Sequence, residues 1–167
     1  MPSKVTAKQH NSQMCFVCGL QNAAGLQASF YEVEGDQVVA LFKPCEQHQG
    51  YHDRLHGGLA AAILDETIGR AMNIGQYEIW GVTVEFQVRY KKPVPLDQEL
   101  RVVGRITKQS RRLFEGTGEI LLPDGEVAVE ASGKYLKLAL DEITDFDYQG
   151  EDWMEVPTEN DPTEINI

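Results

Sequence analysis

Residues 56–72 dictate the architecture: His-Gly-Gly followed by Leu-Ala-Ala-Ala-Ile-Leu-Asp-Glu-Thr-Ile-Gly-Arg-Ala-Met. Read as an α-helix, this segment is apolar or small in nearly every direction. Such a helix must be buried, and in a short chain its natural wrapper is a curved sheet. The 167 residues suffice for one domain with a proper core, not comfortably for two.

After Gly75 the pattern switches to period two. Thr83, Glu85, Gln87 and Arg89 alternate with Val82, Val84, Phe86, Val88 and Tyr90, predicting a long strand over 79–90 stopped by Pro93 and Pro95. Further strands are expected at 100–108, 112–122 and 126–138, with a turn at Pro123-Asp124-Gly125. Upstream, 26–32 and 37–42 read as strands joined at Gly35-Asp36. The order is two strands, a buried helix, then four antiparallel strands. No helix separates the last four, which excludes a doubly wound sheet. The expected fold is α+β: a long central helix wrapped by a curved antiparallel sheet of about six strands.

The net charge of −11 comes from 15 Lys plus Arg against 26 Asp plus Glu. Residues 141–167 hold ten acids and no base, so the body of the chain is nearly neutral. Nothing supplies a phosphate-neutralising surface, so nucleic acid is not expected as a partner. No apolar run reaches the ~20 residues of a membrane helix, and none follows Met1-Pro2-Ser3-Lys4 as a secretory signal would. Three cysteines, an odd number, argue against a disulfide framework, and a cytoplasmic location is expected. The organisation expected is a flexible segment 1–14, one domain 15–140, and an acidic, partly ordered tail 141–167.

Within the helix, Glu66 and Arg70 stand four apart and can pair. Asp65 has only small or apolar neighbours on its face (Ala61, Gly69, Met72) and no partner in the helix. Unpaired burial is costly, so either another element supplies donors or Asp65 lines a wet cavity. At the helix start, His56-Gly57-Gly58 offers free N–H groups and a favourable dipole for a developing oxyanion; equally, the glycines permit close packing. The loop His48-Gln49-Gly50-Tyr51-His52 carries donors and acceptors just upstream. Cys15 and Cys18 form one Cys-x-x-Cys, a poor zinc signal without a second pair, and no metal is expected. Arg89, Lys91, Lys92, Arg111 and Arg112 fall at strand ends, where they hold either solvent or a phosphorylated ligand. Walker, dinucleotide, zincin and nucleophile-elbow motifs are absent.

Taken together, Cys15-Phe16-Val17-Cys18-Gly19, Asn22, Gly25-Leu26, His48-Gln49-Gly50, His56-Gly57-Gly58 through Leu64-Asp65-Glu66, Thr83-Val84 and Tyr90-Lys91-Lys92-Pro93 resemble a hotdog-fold acyl-CoA thioesterase of the phenylacetic-acid-pathway (PaaI-like) subgroup. The resemblance implies subunits paired edge to edge, as a dimer or a dimer of dimers, with active sites at the subunit interface. It implies an acyl-CoA substrate and no cofactor beyond the coenzyme A of that substrate. By position, Asp65 matches the general base or nucleophile, and Gly57, beside Gly58, the N–H that polarises the thioester carbonyl. Thr83 matches the hydroxyl placing the attacking water, and His56 a histidine supporting loop and substrate. His48, Gln49 and Gly50 are expected to bind substrate, with Arg89, Lys91, Arg111 and Arg112 on its phosphates. Where relatives carry Asn or Gln six residues before the histidine, this chain has Gly50, so His48 or Gln49 is expected to supply the side chain. Two other activities stay open on such a fold: acyl-CoA hydration or dehydration, and acyl-CoA binding without catalysis.

Overall fold

The computed structural model describes residues 1–167. Helix α1 (Gly57–Arg70) runs on through a 3-10 turn at Ala71–Asn73. His56 caps it: its Nδ1 accepts the Gly58 N–H at 2.9 Å. Ala60, Ile63, Leu64, Thr67 and Ile68 are buried, a stripe at helical spacing. The opposite side, with Leu59, Ala62, Asp65, Glu66 and Gly69, is only half-buried. The helix is thus laid on a sheet and not enclosed by it, which corrects the expectation of all-round wrapping.

The sheet has eight strands, not about six. In chain order they are β1 (Pro2–Lys8), β3 (Ser29–Val33), β4 (Gln37–Phe42), β5 (Trp80–Tyr90), β6 (Leu100–Gln109), β7 (Leu113–Leu121), β8 (Val127–Leu138) and β10 (Glu164–Asn166). Their order across the sheet is β10-β1-β3-β4-β6-β7-β8-β5, antiparallel throughout. The six strands read from the sequence are β3 to β8. The two extra come from segments read as flexible or partly ordered. Two short strands, β2 (Asn11–Ser12) and β9 (Trp153–Met154), pair with each other, and α2 (Leu140–Ile143) follows β8.

The tail is tied down because it covers apolar surface and pairs charge. Ile165 joins Tyr31, Val33, Val39, Val103 and Leu121 in a second apolar cluster. Alternate residues of the same strands (Phe30, Val38, Ala40, Val102) pack instead in the main core with α1. Asp161 accepts from Lys8 Nζ at 2.6 Å and from Tyr31 OH at 2.8 Å. Gly104 lets α1 approach the sheet: a Cβ there would lie 2.6 Å from the Thr67 carbonyl oxygen. No helix is long and apolar enough to cross a membrane.

Two features of β5 position the site. It is an edge strand, paired only with β8. Its register with β8 also shifts between Thr83 and Glu85, a bulge at Val84. The bulge breaks the expected strict alternation. Val84 is 55% exposed, whereas Phe86 and Val88 pack on the core and Thr83 reaches α1.

Candidate active site

Asp65 sits on the half-buried side of α1 and lines a cavity of about 320 Å³. Its Oδ1 accepts from Thr83 Oγ1 at 2.8 Å and from Tyr135 OH at 3.0 Å. Both donors come from the sheet: Thr83 and Tyr135 are cross-strand partners on β5 and β8. Oδ2 makes no hydrogen bond to protein. The carboxylate is therefore anchored by one oxygen while the other has no protein partner. Burial pushes its pKa above the ordinary aspartate value, the Thr83 and Tyr135 hydrogen bonds oppose this, and the Glu66 charge adds to it.

Sequence reasoning missed Tyr135. It is buried, stacked on Phe114 with ring centroids 4.8 Å apart, and its hydroxyl also reaches the Asp65 carbonyl oxygen at 3.1 Å. Burial, then the Asp65 charge, raise its pKa, so the phenol remains a donor. Gly133 makes room for it: a Cβ there would meet the Tyr135 hydroxyl at 2.6 Å. The available signal was that a tyrosine buried on a strand needs a partner for its hydroxyl.

The expected Glu66–Arg70 pair forms, with Nε donating to Oε1 at 2.9 Å. Arg70 is buried more deeply than its pairing alone required. It also donates to the His10 carbonyl oxygen at 2.8 Å, and its guanidinium lies 3.9 Å from the centre of the Phe30 ring.

At the other end of α1, the Gly57 N–H donates to no protein group, whereas the Gly58 N–H is used by His56. Tyr90 OH donates to the Gly57 carbonyl at 2.6 Å. Gly57 lines a separate groove of about 330 Å³ with Tyr51, Arg54, Tyr90 and Lys91. Eight residues of helix separate Gly57 from Asp65, about 12 Å. One chain's Gly57 and Asp65 therefore cannot meet the same carbonyl.

The remaining residues divide. His48 is buried and both ring nitrogens are used: Nδ1 accepts the Cys45 N–H at 3.0 Å, and Nε2 faces the Ala24 and Gly25 carbonyls at 3.0 and 3.1 Å. It latches the loop and is not free for a ligand. Gln49 is exposed with no side-chain partner, and Gly50 packs beside His56. Lys91, near Gly57, pairs with Glu130. Arg89 lines a groove with Gln87, Glu119 and Glu130, away from Asp65. Arg111 and Arg112 lie in the β6–β7 turn, exposed and without an ion-pair partner.

Residues 52–129 match the thioesterase superfamily. Mouse acyl-coenzyme A thioesterase THEM4 is 28% identical over 134 residues, 78% of this chain and 56% of that protein. Human acyl-coenzyme A thioesterase 13 is 27% identical over 77 residues, 46% of this chain and 55% of that one. The chain thus spans little more than half the length of these curated relatives. Among solved structures, the thioesterase superfamily protein RHA08564 superposes with a TM-score of 0.66 at 27% identity, over 73% of this chain and 59% of that one. The PaaI protein of the E. coli phenylacetic acid degradation operon superposes with a TM-score of 0.62 at 16% identity, over 68% and 81%. With its helix on an antiparallel sheet and these likenesses, the chain is similar to thioesterase-superfamily proteins and shares the hotdog fold of PaaI-like and other thioesterases.

Proposed function

We propose that this chain hydrolyses acyl-CoA thioesters, with Asp65 as general base toward water. The observation that carries the reading is the cavity-lining Asp65 carboxylate, fixed through Oδ1 by Thr83 and Tyr135 and without a protein partner at Oδ2. A water bound at Oδ2 transfers its proton there as its oxygen attacks the thioester carbon. The tetrahedral oxyanion accepts from the Gly57 N–H, the one N–H of the helix start with no protein partner. Collapse breaks the C–S bond, and the proton held on Asp65 returns to the departing sulfur. Thr83 spends its proton on Asp65, so its oxygen keeps lone pairs for the attacking water.

Because Gly57 and Asp65 of one chain stand too far apart, the site is built by two copies. The β5 edge supports this: 11 residues long and unpaired on one side, it exposes Val84 and Tyr90. Antiparallel pairing of two β5 strands sets the Tyr90 end of one copy, with its Gly57, beside the Trp80 end of the other. It also brings Lys91 of one copy and Arg111 and Arg112 of the other to one rim, where the phosphates of coenzyme A bind. Gln49, exposed and unpartnered, takes the place of the Asn or Gln that relatives carry at Gly50. Relatives whose names specify acyl-coenzyme A thioesterases support the substrate class.

A panel of aliphatic and aromatic acyl-CoAs, read by free thiol, tests the reading. Thiol release that depends on the acyl group is expected. Binding with no thiol release, or hydration of an enoyl-CoA instead, would overturn it.

A further inference from the structure

We propose that Cys15, Cys18 and Glu66 bind one thiophilic divalent cation of the Zn²⁺ class, with a fourth coordination position open to the cavity. The sequence offers the two cysteines, and spacing marks none of Cys45, His48 and His10 as a further ligand. The fold supplies it from α1. The two Sγ atoms and a Glu66 carboxylate oxygen lie within 4.8 Å of one another, and Cys15 Sγ is 3.2 Å from Glu66 Oε2. Zn–S and Zn–O bonds of about 2.3 and 2.0 Å in a tetrahedron place ligand atoms about 3.5–3.8 Å apart, so small shifts would seat the ion. All three residues, with Ser12, line the cavity that holds Asp65.

Backbone N–H groups converge on the Cys15 sulfur. The N–H groups of Val17 and Cys18 both point at Cys15 Sγ, at 3.4 and 3.5 Å, donors that favour the deprotonated sulfur a metal needs. The turn that aims them requires Gly19, where a Cβ would lie 2.4 Å from the Cys15 carbonyl oxygen. Ser12 Oγ stands 3.4 Å from Cys18 Sγ.

Arg70 gives the independent argument. Its side chain is only 5% exposed, and Nη2, although 2.9 Å from Glu66 Oε1 as an ion pair, makes no hydrogen bond. A buried guanidinium N–H without an acceptor is costly. Cys18 is the other acidic group this guanidinium faces, and as a metal-bound thiolate it becomes the acceptor. The charges also close. Two thiolates and a carboxylate exceed a dication by one negative charge, which Arg70 neutralises. Glu66 divides its oxygens, Oε1 to Arg70 and Oε2 to the ion, the usual arrangement of a ligating carboxylate held from behind. Cys45 belongs elsewhere, beside His48. Binding exchanges the Cys15 and Cys18 thiol protons for the ion, with no change in oxidation state.

The test uses the full chain, purified with reductant. After incubation with Zn²⁺ and gel filtration, elemental analysis should find one Zn²⁺ per chain. Loading with Co²⁺ should give the near-ultraviolet sulfur-to-metal absorption of two thiolates. Cys15→Ser and Cys18→Ser should each abolish both signals, while Cys45→Ser should leave them unchanged. Should the serine variants fail to fold, alkylation of the unsubstituted protein decides: Zn²⁺ should protect Cys15 and Cys18 and leave Cys45 reactive. Absence of stoichiometric metal, loss of it in Cys45→Ser, or a Cys15–Cys18 disulfide forming in preference to metal uptake would each overturn the proposal.

Discussion

Replacing Tyr135 with Phe removes one hydroxyl and keeps the ring stacked on Phe114. What is lost is the O–H donated to Asp65 Oδ1 at 3.0 Å and to the Asp65 carbonyl at 3.1 Å. Hydrogen bonds to charged groups contribute about 1.5–3 kcal/mol. Thr83 remains as a donor and the cavity admits water, so the low end applies. About 1.4 kcal/mol is tenfold in rate, and an approximately tenfold fall in kcat is expected. The pH dependence has a definite sign. Burial holds the Asp65 pKa above its ordinary value, and the Tyr135 hydrogen bond pulls against that. Without the hydroxyl, burial is less opposed. The base form is then lost earlier as pH falls, and the acid limb of kcat/KM moves to higher pH. The assay is thiol release from an acyl-CoA across acidic pH, with thermal unfolding alongside. The same loss of about 1.5 kcal/mol in stability corresponds to a fall of about 3–6 °C in Tm. An unchanged rate with an unmoved acid limb would mean that Tyr135 does not orient the working carboxylate.

Thr83→Val should mimic Tyr135→Phe in direction, and the double variant should lose less or more than the sum of the two, because both donors share one oxygen; double-mutant kinetics check this. Gly133→Ala should displace Tyr135, since the new Cβ would lie 2.6 Å from its hydroxyl. A cost of about 1–3 kcal/mol in denaturant unfolding is expected, together with loss of activity. For Asp161, burial pushes the carboxyl up, but Lys8, the Thr158 N–H and Tyr31 outweigh it and hold the pKa well below the carboxylate range. A depressed pKa contributes stability that is present above the unfolded value, about 3.9, and fades as pH falls below it. Hydrogen exchange should therefore show the tail loosening from β1 in acid, and Asp161→Asn should loosen it already at neutral pH.

The main elements were legible where the pattern is local. The apolar run of α1 and the alternation in β4 to β8 follow from periodicity alone, and the strand ends agree within a few residues. Strands β1 and β10 were not legible, because β1 is short of apolar residues and β10 owes its place to Ile165 and to Asp161 reaching Lys8 across the chain. A spacing rule has no view of such distant pairing. Asp65 was legible as a carboxylate without a helical partner, but its donors were hidden. Thr83 reaches it only because of the bulge at Val84, and Tyr135 only because the β5–β8 register sets it opposite Thr83. The surroundings of His48 were hidden for a similar reason. Its ring is occupied by the carbonyls of Ala24 and Gly25, more than twenty residues upstream. The Glu66–Arg70 pair, four residues apart on one helix, needed no such knowledge.

The Asp65→Asn variant puts the whole account at stake in a single comparison of kcat. Asparagine keeps the shape and still accepts from Thr83 and Tyr135 through its amide oxygen, but it cannot take a proton from water. Turnover of a good acyl-CoA substrate should fall about 10²–10⁴-fold, the range for loss of a general base, while acyl-CoA binding and the unfolding temperature stay close to those of the unsubstituted protein. Hydrolysis at a near-normal rate in a folded Asp65→Asn protein would place the chemistry on another residue.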